Sequence, residues 1–254
     1  MNLNKLKTIF LFLLPIFILS CTTTPEDRNL NNKISNEAYQ DSLNNYNELK
    51  FLFENKKYDE AYSLLNDMKE NLPYSRHTKF GKILEIHSYY EQNKFDLTIQ
   101  NATTFINSHP LHTRIDYVMY LRAISSFELN KSLYQHLSQI PKIITVNRSK
   151  VRRTFSYFSV LAQKYPKSTY FKNTVSKLKL LRQVLSDYEL NDAYLLFDNA
   201  KYNDVVARVD YLIKSYPRST NISKALKLQA KAYRSLGLVD TAKSIESNVR
   251  RNNQ

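Results

Sequence analysis

Five histidines, one cysteine and no tryptophan leave few residues for metal or nucleophilic chemistry. His109 and His112 flank Pro110 in a turn-like segment. A zinc site needs further ligands, and no cysteine or Glu-x-x-His helix stands nearby to supply them. There is no Gly-rich phosphate loop and no Gly-x-Ser-x-Gly elbow. Two glycines in 254 residues also disfavour folds with many hairpins, because positive φ comes freely only to glycine. The side chains point to binding, with no catalytic residue, no cofactor and no metal expected.

One group still has chemistry to offer, the thiol of Cys21, and no second cysteine exists to pair with it. Lys5 and Lys7 precede an apolar run from Ile9 to Leu19, too short for the ~20 residues of a membrane span and suited to an export signal. The run closes on Ile18-Leu19-Ser20-Cys21, which resembles the bacterial lipobox. That resemblance implies a signal peptide over 1–20, cleavage before Cys21, and acylation of its thiol. Thr22 rather than Asp follows, which in enterobacterial lipoproteins favours the outer membrane. An ordinary signal peptide with a chance cysteine is the alternative. Several acyl chains hold a protein to a membrane far more firmly than one.

Losing Lys5 and Lys7 with the signal lowers the formal charge from +14 to +12. A basic chain suits nucleic acid, anionic lipid or acidic proteins. Export removes nucleic acid from the expected partners, and an AT-rich genome explains the Lys and Asn content equally well. Residues 21–35 are polar and aperiodic and read as a lipidated flexible tether.

From 36 to 250 the pattern is helical and repeats. An aromatic and a small residue three later lead to proline twelve further on: Tyr58, Ala61 and Pro73; Phe95, Thr98 and Pro110; Tyr202, Val205 and Pro217. Thr154 and Pro166 keep the offset with Val151 in the aromatic's place, and Leu236 to Ala242 opens a last half-repeat without its proline. This is the tetratricopeptide (TPR) signature. The small residue lets paired helices approach, and the proline ends the second one. Proline intervals of 37, 56 and 51 residues require an insertion near 130–149, around Pro141, and one long helix from about Thr169 to Asn199. The expected fold is all-α, an α-solenoid of about five irregular TPR-like helix pairs without an internal domain boundary.

The repeat template places Tyr46, Lys50 and Phe53, then Phe80, Ile83, His87 and Tyr90, then Arg114 and Tyr117, on a groove formed by first helices; inter-repeat core is the alternative for these aromatics. Lys224, Lys227, Lys231 and Arg234 share one face of the last first-helix, with Ile222, Leu226, Ala230 and Tyr233 as an apolar stripe beside them. That basic face is either a solvated solenoid end or a docking surface for an acidic partner or lipid headgroups.

The stretch His109-Pro110-Leu111-His112-Thr113-Arg114-Ile115-Asp116-Tyr117-Val118-Met119-Tyr120-Leu121-Arg122 resembles the junction of the second and third repeats in the BamD family of outer-membrane assembly lipoproteins. Phe155-Ser156-Tyr157-Phe158, Tyr165-Pro166-Lys167-Ser168, Arg208-Val209 and Tyr216-Pro217 continue the likeness. His109 and Thr113 depart from the family's Asn and second Pro, the turn after repeat one lacks its Gly and second Pro, and Ile144 to Lys150 replaces an acidic loop.

The resemblance implies a lipid-anchored scaffold on the periplasmic face of the outer membrane. Its implied partners are the BamA POTRA region, other assembly-machinery lipoproteins and unfolded β-barrel proteins. It further implies that the groove takes an extended peptide ending in an aromatic and a carboxylate, and that Arg208 pairs with an acidic residue of BamA. An ordinary helix pair with Asp204, four residues earlier, is the competing reading of Arg208. A different TPR lipoprotein, such as a type IV pilus pilotin, is the alternative function.

Overall fold

Residues 25–132 and 148–251 are described by the computed structural model. The signal at 1–20, Cys21 and the part of the insertion at 133–147, with Pro141, lie outside the described residues. Ten helices are found among the described residues: α1 (Pro25–Glu54), α2 (Tyr58–Asn71), α3 (Arg76–Glu91), α4 (Phe95–Ser108), α5 (Ile115–Leu129), α6 (Arg148–Lys164), α7 (Phe171–Asp198), α8 (Tyr202–Ser215), α9 (Ile222–Ser235) and α10 (Val239–Arg251). They form five pairs, α1/α2 through α9/α10, in the all-α, TPR-like solenoid expected. Each helix packs on its sequence neighbours, and α1 on α3, α3 on α5 and α7 on α9 join successive pairs.

One boundary differs from the sequence reading. α1 begins at Pro25, so most of the stretch expected as a tether over 21–35 is helical. Proline lacks only an N–H that a first helical turn leaves unused, and its fixed φ suits that position. The long α7 falls within the Thr169–Asn199 span anticipated for it.

The small residue of each second helix, Ala61, Thr98, Thr154, Val205 and Ala242, is completely buried. A larger side chain at any of them would force its pair apart. Four of the five pairs turn in a common way. Lys56, Asn93, Ala200 and Gly237 all have φ between 57° and 81°. In each turn that residue's N–H bonds three residues back and the next N–H bonds five back, as in Lys56 to Phe53 and Lys57 to Leu52. This is the Schellman closure, satisfying carbonyls that the helix end would otherwise orphan.

The proline turns share a second device. The side chain two residues after proline accepts the backbone N–H two residues further on: Ser75 from His77, His112 Nδ1 from Arg114, Ser168 from Tyr170 and Ser219 from Asn221, at 3.0–3.3 Å. His112 thus does a serine's work in its turn. The glycine-less turn after repeat one also keeps the pattern, with Thr78 Oγ1 donating to the Leu72 carbonyl at 2.8 Å.

Candidate functional site: an aromatic cleft and an arginine cluster

Two places in the stack gather chemistry. The first is a cleft of about 410 Å³ between α1 and α3, lined by Lys50, Phe53, Leu84, His87 and Glu91 among others. Phe53 is buried in its wall, packed edge-on against Tyr62. His87 bridges outward on both ring nitrogens. Its Nε2 lies 3.3 Å from Glu91 Oε1, and its Nδ1 lies 2.6 Å from the Tyr117 hydroxyl on α5. Burial and the neighbouring Tyr170 phenol push the Tyr117 hydroxyl well above the ordinary tyrosine range, so it stays protonated and can donate to His87.

From Tyr117 the aromatic contacts continue. Tyr117 stacks on Tyr170 at 5.4 Å, and Tyr170 on Tyr120 at 4.5 Å. On the other side Tyr46 meets Phe80 at 6.1 Å, and Phe80 meets His112 edge-on at 5.0 Å. Phe80 and His112 line a second, more open cavity of about 510 Å³ with Arg76, Lys79 and His109. Aromatic faces beside cations are a setting for apolar groups that carry negative charge.

The structure therefore joins Tyr46 to Phe80, and Phe53 to His87 and Tyr117. Ile83 is buried in the core of the second pair. Tyr90, half-buried, packs between two core clusters and against Phe95 and lines neither cavity. Arg114 is the exposed residue preceding α5, outside both cavity linings. Tyr120, Tyr170 and His112 were missed as members of this face. Tyr120 stood in the recognised junction stretch; Tyr170 lies in a turn and carries no periodic signal.

The second place lies where α6, α7 and α8 meet. Glu189 of α7 has no solvent exposure. Its Oε2 accepts from Arg208 Nη1 at 2.8 Å and its Oε1 from Arg152 Nη2 at 3.3 Å, with Arg148 Nη1 3.9 Å away. Arg148 Nη2 reaches Asp192 Oδ2 at 2.6 Å and the Tyr188 carbonyl at 3.4 Å. Hydrogen bonding to Glu189 holds the Arg208 guanidinium even more firmly protonated than usual, outweighing its partial burial. Asp204 is not its partner, which corrects the helix-pair alternative. One turn along α8, Asp204 lies on the exposed face, whereas Arg208 points between the helices toward Glu189.

Glu189, Asp192, Arg148 and Arg152 were not singled out in the sequence. Glu189 sits in the apolar stripe of a long helix, where a buried carboxylate demands cationic partners. That demand was the available signal.

Lys224, Lys227, Lys231 and Arg234 are all exposed on α9, as their spacing implied. Arg234 pairs with Glu246 of α10 at 2.6 Å, while the three lysines make no ion pair within 4 Å of a described residue. The buried stripe beside them is Ala225, Leu228, Gln229, Ala230 and Ala232. Of the expected stripe only Ala230 is fully buried, and Ile222, Leu226 and Tyr233 lie at its margins. Packing against both α8 and α10 turns the buried face by about one residue. Among the described residues no group of three His, Cys, Asp or Glu could hold a metal ion, and no helix is long and apolar enough to cross a membrane.

A family model described as an outer membrane lipoprotein, YfiO, matches residues 37–248. The chain is similar to proteins named outer membrane protein assembly factor BamD. It is 25% identical to that of Buchnera aphidicola over 248 residues, covering 95% of each chain. With that of Vibrio cholerae it shares 24% identity over 71% of this chain and 74% of the relative. With that of Pasteurella multocida it shares 25% over 77% and 76%.

Proposed function

Because the chain belongs to the YfiO family of outer membrane lipoproteins, we propose that it is an assembly factor for outer-membrane proteins, a binding scaffold and not an enzyme. It is held to the periplasmic face of the outer membrane through acylated Cys21. It docks on the POTRA region of BamA through the α8 surface around Arg208. The cleft of α1 and α3, with Phe53, His87 and Tyr117, receives an extended segment of an unfolded β-barrel protein that ends in an aromatic residue and a carboxylate. Other lipoproteins of the machinery bind elsewhere on the stack, and the free lysines of α9 are available to an acidic one.

A single observation carries this reading. The family match, 37–248, runs from within α1 to within α10, so it concerns all five pairs and not one repeat. A lone TPR pair would fit a pilotin equally well. Purification of the tagged chain from membranes in mild detergent tests the choice. BamA is expected to co-purify. Recovery of a secretin without BamA would assign the chain to pilus assembly instead.

A further inference from the structure

We infer that Arg152 is a second docking residue, and that buried Glu189 positions Arg152 and Arg208 as a two-pronged receptor for a carboxylate side chain of the partner protein. This rests on the reading of Arg208 as a docking residue. Both guanidinium groups bond to opposite oxygens of one carboxylate, Arg152 to Oε1 and Arg208 to Oε2. Their side chains come from different helices, α6 and α8, so only the tertiary fold brings them together.

The three arginines of the cluster differ in access. Arg148 is 20% exposed, bridges Asp192 and the Tyr188 carbonyl, and serves the interior. Arg208 is 36% exposed and Arg152 52%. A guanidinium has five N–H donors. Arg152 donates through Nη2 to Glu189 alone, and Arg208 through Nη1 to the same carboxylate; their other nitrogens have no acceptor among the described residues. Spare donors on two planar forks suit a two-oxygen planar anion.

The charge count points the same way. Three arginines face two carboxylates, Glu189 and Asp192, leaving one positive charge uncompensated. One incoming aspartate or glutamate neutralises the cluster. Glu189 itself cannot be the free acceptor, since it is enclosed and both its oxygens are taken. Its role is positional, holding two like charges close enough to be read together.

The test is the affinity of the detergent-solubilised lipoprotein for the purified POTRA region of BamA, with melting temperature recorded for each variant. Arg152→Gln and Arg208→Gln should each weaken binding by about tenfold, the loss of one charge-assisted hydrogen bond. Glu189→Gln makes the cluster more positive but releases the forks, so it should also weaken binding. Tighter binding by Glu189→Gln would overturn the positioning role, because a simple charge effect predicts that result. Wild-type affinity in Arg152→Gln with weakened Arg208→Gln would overturn the second docking residue and leave the first standing. If neither arginine variant changes affinity, the docking reading of Arg208 falls and this inference with it.

Discussion

His77 is held neutral by its surroundings. It is buried where α3 meets α1, its Nδ1 2.7 Å from the Ser42 hydroxyl and its ring against Tyr39 and Tyr46. Burial first, and then the neighbouring Arg76 charge, lower its pKa. His109 and His112 are lowered as well, chiefly by burial and then by nearby Lys82 and Lys79, or by His109 and Lys79. A lowered folded pKa means the unfolded chain binds protons more readily. The stabilisation is therefore complete above the unfolded value of about 6.5 and is lost as pH falls below it toward the lowered folded value. Circular dichroism melts should give a lower Tm at pH 5.5 than at pH 7.5. His77→Gln, which keeps polarity but does not titrate, should shrink that difference. An unchanged difference would mean His77 is not among the groups responsible.

At the scale of elements, close approach is set by small residues, and α3 shows it best. A Cβ added at Gly81 would stand 2.7 Å from Leu49 Cδ2 of α1 and 2.8 Å from Leu65 Cδ1 of α2. Both leucines are fully buried, so making room means repacking their side chains or moving the helices apart. Gly81→Ala gains about 1 kcal/mol of helix propensity, but overpacking a filled core costs roughly 1–3 kcal/mol. The net expectation is about 1 kcal/mol of destabilisation, a Tm lower by roughly 2–4 °C for a chain of this size. A Tm above that of the wild type would show that α3 has room to shift. The turns follow another rule. Three of the four left-handed turn positions carry Lys56, Asn93 and Ala200 rather than glycine. The tertiary packing of the paired helices imposes this conformation despite its intrinsic cost of roughly 1–2 kcal/mol.

The whole molecule is a one-dimensional stack in which each pair touches mainly its neighbours, and energetic effects in such stacks stay local. The cleft belongs to the first three pairs, and the arginine cluster to the third and fourth. Changes at one are expected to leave the other working. Lys50→Ala combined with His87→Ala should weaken a peptide ending in phenylalanine and a free carboxylate by roughly 0.2–1 kcal/mol per lost contact, the range of solvent-exposed charged pairs, while affinity for the POTRA region stays at the wild-type level. Fluorescence titration of the peptide and a separate binding measurement with the POTRA region decide this. Parallel losses in both would mean that the stack couples its ends.

The order of elements was legible along the chain. Prolines at Pro73, Pro110, Pro166 and Pro217 end second helices whatever surrounds them, because a missing N–H and a steric clash are local facts. The small residues from Ala61 to Ala242 could be read for the same reason: their spacing on one helix is local. Partnership across helices was not legible. Asp204 is the acid one helical turn from Arg208 along α8, yet Glu189 on another helix is the one that bonds to it. Tyr90 shares the spacing of the cleft residues but packs half-buried against Phe95, outside both cavities. Periodicity gives the angle of a side chain about its own axis, and only the placement of neighbouring axes decides whether that angle faces solvent, a cleft or a buried carboxylate.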